Sequence, residues 1–356
     1  MRRRRAGRPG GPERAGQRAW RLPILLALLA CLTACARLAP LQSTLPPGAV
    51  IRAELAGTPF FPQEEHQCGP AALATVLAAS GVPASPAELV PEVFLPARQG
   101  SLQAELLGAA RRRGRLPYPL RGEPQPLFAE IGAGRPVLLL LNLGVDAWPV
   151  WHYAVLVGYD ADRNQVMLRS GHQRRLVMSW RRFAGAWQRG GSWAATLLEP
   201  GTLPARPELL AYLEACAGLE AAGMLDAAAA AYAAGAERWP DHPLVHLGLG
   251  NVAYARGELA AAVAAYRRGL DLAPADAALR NNLAQALLEA GCGAEALAEA
   301  QHAAELARGS ALEPEVQATL DGAQRAAAGG PSAGSCRAAA AGASAEQPLS
   351  SPHAPP

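Results

Sequence analysis

The 356-residue sequence contains no lysine; all 33 basic residues are arginine. With its richness in alanine, this is a compositional habit that carries no functional information. Aromatic residues make up only 5% of the chain, and there are six cysteines. No CxxC pair or His/Cys cluster occurs, so no metal and no other cofactor is expected. The dense, regular cysteine spacing of a small secreted scaffold is also missing, and no disulfide framework is expected; Cys216 and Cys292 fall in alanine-rich helical patterns. The apolar run from Leu22 to Leu32 is too short to span a bilayer comfortably. The net charge of +3 is local: the first 34 residues hold eight arginines against Glu13 alone, a balance of +7 that leaves the remainder at −4. No nucleic-acid partner follows from such a charge.

The N-terminus passes from an arginine-rich stretch (Arg2 to Arg21) through that apolar run to small residues, the order of a secretory signal peptide. It ends in Leu32-Thr33-Ala34-Cys35, which resembles the bacterial lipobox, whose cysteine becomes the acylated first residue. Leu28-Leu29-Ala30-Cys31 is a poorer version, with a bulky residue at its middle position. Residues 1–34 are expected to be a lipoprotein signal peptide, and residues 35–58, with Pro40, Pro46, Pro47 and Gly48, a tether. Ala36 after the cysteine implies, by the same resemblance, anchoring on the periplasmic face of the outer membrane.

Residues 59–200 mix helical and strand patterns, and residues 205–325 are almost purely helical. Residues 326–356 decay into Ala, Gly, Ser and Pro, a tail expected to be disordered. The helical part repeats every 34 residues: Gly223, Gly257 and Gly291; Ala228, Ala262 and Ala296; Tyr232 and Tyr266; Pro240 and Pro274. In each unit the glycine would turn the chain between two short helices, the alanine allow their close contact, and the proline end the second. This pattern resembles the tetratricopeptide (TPR) repeat, in copies at about 208–241, 242–275 and 276–309, with a capping helix from Glu313 to Ala327. The third copy departs from it, with Ala300 and Arg308 at the Tyr and Pro positions.

The chemistry lies in Gln63-Glu64-Glu65-His66-Gln67-Cys68-Gly69-Pro70, which runs into the helix-favouring Ala71 to Leu77. Pro70 suits a first helical turn, so Cys68 is expected at a helix start, where the dipole would favour a thiolate. Pro136 to Leu143 reads as a buried strand. His152 opens a second, His152 to Tyr159, followed by a turn through Asp160 to Asn164 and a third strand from Gln165 to Arg169. A histidine at a strand mouth, flanked by Trp148 and Trp151, is placed to serve a helix-borne thiol as base and acid.

Gln63, the Gln-Cys-Gly-Pro-Ala-Ala-Leu segment around Cys68, and His152 heading a strand that ends Val-Gly-Tyr-Asp together resemble the papain-like C39 peptidases, which cleave leader peptides from secreted bacteriocins. The resemblance covers about residues 59–195 and implies an α+β papain-like cysteine peptidase domain, followed here by an all-α TPR solenoid. It implies Cys68 as nucleophile, His152 as base and acid, and Gln63 as oxyanion donor beside the Cys68 backbone N–H. His66 reads as solvent-facing. The family's Asp-Pro after the His strand has no counterpart: a turn centred near residue 161 or 162 sets His152 opposite residue 170 or 171, which are Ser170 and Gly171. Ser170 is the candidate orienter of the imidazole, with Asp146 a rival and His172 a weaker one.

The expected function is an envelope thiol peptidase with a protein or peptide partner recruited by the repeats and a membrane contact through the N-terminal lipid. Two alternatives accompany it: a non-catalytic peptidase-fold and TPR assembly protein, and a thiol acyl transferase using the same Cys–His pair.

Overall fold

The computed structural model describes residues 39–120 and 122–328. The expected signal peptide, Cys35 and the tail beyond Ala328 lie outside the described residues. Among the described residues, no helix is long and apolar enough to cross a membrane.

The first part of the chain is an antiparallel sheet with helices on both faces. Its strands are β1 (Arg52–Glu54), β2 (Leu116–Pro119), β3 (Val137–Asn142), β4 (Trp151–Asp160), β5 (Gln165–Ser170), β6 (Gln173–Ser179) and β7 (Ala194–Leu198). They lie in the order β2-β7-β3-β4-β5-β6, and β1 pairs with the far end of β4. All six residues of β3 are buried, the continuous apolar run of a strand covered on both sides. On one side Leu138, Leu140, Tyr153, Val155 and Val157 meet α1 (Cys68–Ala79), α2 (Pro86–Val93) and α3 (Gln103–Arg112). On the other, Leu139, Leu141, Ala154 and Leu156 meet α4 (Pro124–Gly132) and α5 (Trp180–Arg189).

Residues 39–58, read from the sequence as part of a tether, instead fold onto this domain. Leu41 is fully buried and its N–H donates to Asn164 Oδ1 at 2.9 Å. Trp180 Nε1 donates to the Ala39 carbonyl at 2.9 Å, and Arg52 to Glu54 complete the sheet. Prolines alone suggest a linker, but the apolar Leu41 and the strand-forming Ile51 to Glu54 find buried partners and bring the segment down.

The second part is all-helical: α6 (Leu209–Ala221), α7 (Leu225–Arg238), α8 (Pro243–Ala255), α9 (Leu259–Leu272), α10 (Ala277–Glu289), α11 (Gly293–Ala307) and α12 (Glu313–Ala328). Gly223, Gly257 and Gly291 take φ of +72°, +76° and +76° at the turns within the three helix pairs, which is why glycine recurs there. The last helix runs through Ala328, so the first residues assigned to the tail are helical. Cys292, at the turn before α11, is disulfide-bonded, a single bond rather than a framework among the described residues; Cys68 and Cys216 are free.

The two parts share one core. Tyr212, Leu213, Cys216 and Leu219 of α6 belong to the same buried cluster as Leu116, Tyr118 and Leu198 of the sheet. The connecting segment is fastened as well: the buried carboxylate of Glu130 accepts from Ala205 N–H at 2.7 Å, and Tyr118 Oη accepts from Glu208 N–H at 3.1 Å. Tyr212 is fully buried and donates to the Ala231 carbonyl at 3.0 Å. Truncation of Tyr212 to Ala is therefore expected to lower stability by roughly 3–5 kcal/mol. Hydrogen exchange should show faster opening of β2 and β7 together with α6; acceleration confined to the helices would mean that the two parts open independently.

Candidate active site

Cys68 is the first residue of α1, entered through a tight turn in which Gln67 N–H donates to the Glu64 carbonyl at 3.1 Å. His66 adopts φ +61°, a left-handed conformation unusual for a residue with a side chain, and its ring is exposed. Gly69 is needed behind the thiol: a Cβ there would meet Ser101 Oγ at 2.4 Å. The half-buried Cys68 has the backbone N–H groups of Tyr153, Gly69 and Cys68 itself nearby, which favour its thiolate. Tyr153 directly follows His152, and its side chain shares the buried cluster against which Cys68 packs, at the mouth of β4.

A thiol at a helix start is expected to have a depressed pKa; the structure gives the reverse. Burial pushes the Cys68 thiol above its ordinary value, and the three N–H groups offset this only in part. The magnitudes explain the order. A helix terminus contributes about 0.3–1 kcal/mol at exposed sites, whereas burial in a low-dielectric setting shifts a titrating group by up to about 3–5 units.

His152 lies in β4 opposite Leu141 of β3. Its Nε2 is 2.8 Å from Ser170 Oγ. The strand register differs from the hairpin estimate. The β4–β5 ladder pairs Val155 with Arg169 after a bulge between Leu156 and Gly158, so its continuation sets Ala154, not His152, across from Ser170. The hydrogen bond is made along the diagonal, which a side chain of this length spans. Asp146 is exposed at the tip of the β3–β4 hairpin and makes no ion pair or hydrogen bond among the described residues; His172 is also exposed. Neither acts as orienter here, and no carboxylate touches the ring. Burial alone lowers the His152 pKa.

Gln63 joins the same cleft. Its backbone N–H donates to the Gly171 carbonyl at 3.2 Å, and its side-chain Oε1 is buried without a partner. Cys68, Gln63 and Ser170 line one shallow, open cleft with Phe61, Thr75 and Tyr153. An unpaired buried acceptor costs free energy unless a donor completes it. Its place beside the thiol makes it available to a bound group.

Arg169, also in this cleft, is a residue that sequence reasoning did not single out. It is 5% exposed. Its guanidinium donates to the carbonyls of Ala56, Thr58 and Arg174 and forms no ion pair among the described residues. It thereby binds the segment leading to Gln63 to the strand end that presents Ser170. The signal was a charge directly after the apolar Val166-Met167-Leu168. Among the described residues no cluster of His, Cys, Asp or Glu could hold a metal.

A family model for the TPR repeat matches residues 250–291. Among solved structures, a Bacillus anthracis protein described as a C39-like peptidase is similar to this chain at 20% identity and TM-score 0.36, covering 42% of this chain and 98% of its own. The peptidase domain of Streptococcus ComA, a bifunctional ABC transporter of a quorum-sensing pathway, is similar at 22% identity and TM-score 0.33, covering 40% and 98%. The Yersinia enterocolitica type III secretion chaperone SycD, in complex with a peptide of the translocator YopD, is similar at 21% identity and TM-score 0.31, covering 33% and 92%. No curated protein sequence matches this chain.

The Ser170 contact makes a sharp expectation. A carboxylate at this position would favour the imidazolium, raise the His152 pKa, and through it favour the Cys68 thiolate. Iodoacetamide alkylation of Cys68 in the natural protein should rise only above the ordinary thiol range of about 8.5. In Ser170→Asp the midpoint should move down by at least about one unit. An unchanged midpoint would show that His152 and Cys68 do not titrate together.

Proposed function

We propose that this chain is a thiol peptidase in which Cys68 is the nucleophile and His152 the proton carrier. The observation that carries this reading is the convergence in one cleft of a thiol at a helix start, the Gln63 side chain and the hydroxyl (Ser170) that meets the imidazole. Burial disfavours both the free thiolate and the imidazolium, so the resting pair is neutral. Ser170 engages Nε2, so this reading requires Nδ1 to reach the thiol and take the Cys68 proton. As that proton moves, sulfur bonds to the substrate carbonyl carbon and the carbonyl electron pair moves to oxygen. The Gln63 amide and the Cys68 N–H donate to that oxyanion. Collapse breaks the C–N bond, with His152 returning the proton to the leaving amine. Water, deprotonated by the same histidine, then releases the acyl group from sulfur. The TPR repeats supply a surface for a protein partner or substrate.

The missing carboxylate and the raised thiol pKa favour a second reading, a non-catalytic peptidase fold that binds partners through its repeats. Profiling of cleaved peptides separates the two. Cleavage should vanish in Cys68→Ala, and Gln63→Ala should lower kcat by about 10²–10³-fold, as loss of one oxyanion donor does. Equal profiles for natural protein and Cys68→Ala would leave only the binding reading.

The Leu32-Thr33-Ala34-Cys35 sequence supports a lipid anchor at Cys35, and the reading adopted here is an envelope protein held on the periplasmic face of the outer membrane. Cys35→Ala should move the protein from the membrane to the soluble fraction; its retention with membranes would mean that another segment anchors it.

A further inference from the structure

The hairpin joining β3 to β4 displays apolar side chains that the fold does not use. Trp148 is 79% exposed and Val145, Val150 and Trp151 56% each, with Leu143 also exposed. Its only charge is Asp146. The frame is firmly built. Leu143 N–H donates to the Val150 carbonyl at 2.9 Å, and Val145 and Trp148 exchange both backbone bonds. The buried Asn142 Oδ1 accepts from the N–H groups of Gly144 and Val150, each at 3.0 Å. Gly144 admits the close crossing: a Cβ there would meet the Trp148 carbonyl at 2.3 Å. A rigid ribbon that holds two tryptophans and two valines in water is unfavourable by itself, and such a patch marks a surface that is covered in use.

We infer that this hairpin binds apolar residues of an extended substrate chain on the leaving-group side of the bond that Cys68 attacks. The inference rests on the peptidase reading and follows from continuity: Trp151 immediately precedes His152, the residue that hands its proton to the leaving amine. The substrate half departing from His152 must pass the strand end and the hairpin, whereas the acyl half lies with Cys68 and Gln63. The near absence of charge selects apolar side chains. A membrane is the other candidate occupant, and the topology argues against it. Leu41 docks at Asn164, beside the β4–β5 turn, while the hairpin lies at the opposite end of the ten-residue strand β4. At about 3.3 Å per residue that is roughly 30 Å away. The proposed anchor at Cys35, six positions before Leu41, would therefore hold the far end of the domain toward the bilayer.

Cleavage of a mixed peptide library, read by mass spectrometry, should show Leu, Ile, Val and Phe enriched at positions following the cleaved bond. In the double variant Trp148→Ser, Trp151→Ser this enrichment should disappear, and KM for the best apolar peptide should rise by about tenfold or more, with an unchanged circular dichroism spectrum. Enrichment that survives in the variant, or that falls only before the cleaved bond, would overturn the assignment while leaving the peptidase reading intact. A second measurement does not need turnover: in Cys68→Ala, the apolar peptide Leu-Val-Leu-Phe amide should shift tryptophan emission to the blue. This response should be lost with Trp148→Ser and absent with Ser-Asp-Ser-Glu amide. A response to phosphatidylethanolamine–phosphatidylglycerol vesicles but not to the apolar peptide would assign the hairpin to a lipid surface and refute the proposal.

Discussion

The packing of Cys68, at the start of α1, against the buried cluster that contains Tyr153 is the seam on which the site depends. It requires the first turn of α1 to sit at the mouth of β4, and everything around it serves that placement. β4 is held by β3 along its first half, by β1 along its far end, and by β5 on its other edge. α1 is pressed onto it by Leu73, Leu77, Val155 and Val157. A slip of one residue in β4 would exchange the faces of His152 and Tyr153 and dissolve the site. The strand therefore needs the three neighbours that fix its register. The bulge at Leu156–Gly158 then sets how far Ser170 lies from the imidazole.

Burial gives this site a different electrostatic character from an ion-paired one. The imidazole is oriented by a neutral hydroxyl and the thiol is shielded by apolar packing, so neither charged form is favoured at rest. A carboxylate would supply charge as well as direction; Ser170 supplies direction only. In the proposed peptidase, attack by the thiol would depend on concerted proton transfer, and the oxyanion donors would carry a larger share of the stabilisation, since charge would first develop on the substrate oxygen and the histidine together. Arg169 fits this arrangement. Its bonds to Ala56, Thr58 and Arg174 hold the segments bearing Gln63 and Ser170 in one frame, so the two polar groups keep their spacing without an ion pair between them.

Local chemistry was legible in the sequence where it had a sharp local signature. Gly-Pro after Cys68 marked the helix start, the 34-residue spacing of glycines, alanines and tyrosines marked the helix pairs, and the apolar run through Leu138 to Leu141 marked a central strand. Counting across the hairpin leads to Ser170, and its hydroxyl does meet the imidazole, although along a diagonal because the bulge moves the register. What the sequence hid was nonlocal. The direction of the Cys68 pKa depends on how much of α2, α3 and the sheet closes over the thiol, which a helix start does not disclose. The docking of residues 39–58 depends on Asn164 and Trp180, more than a hundred positions away. Arg169 looked like a strand residue because its carbonyl partners come from a distant segment with no side-chain signature.

The attachments of the domain bear on what the repeats can contribute. The solenoid joins at β2, one edge of the sheet, through a core continuous from Leu116 to Leu219. The N-terminal segment joins near the β4–β5 turn and α5. Both are fastened by buried side chains and neither covers the end where α1 begins and β4 opens. Because α6 shares its core with the sheet, the helical pairs are held at a set orientation to the cleft. A partner gripped by the repeats would then be presented to Cys68 with less orientational freedom to lose than a flexible linker would leave it. That saving in ordering is the physical advantage of building a recognition surface and a cleft on one core.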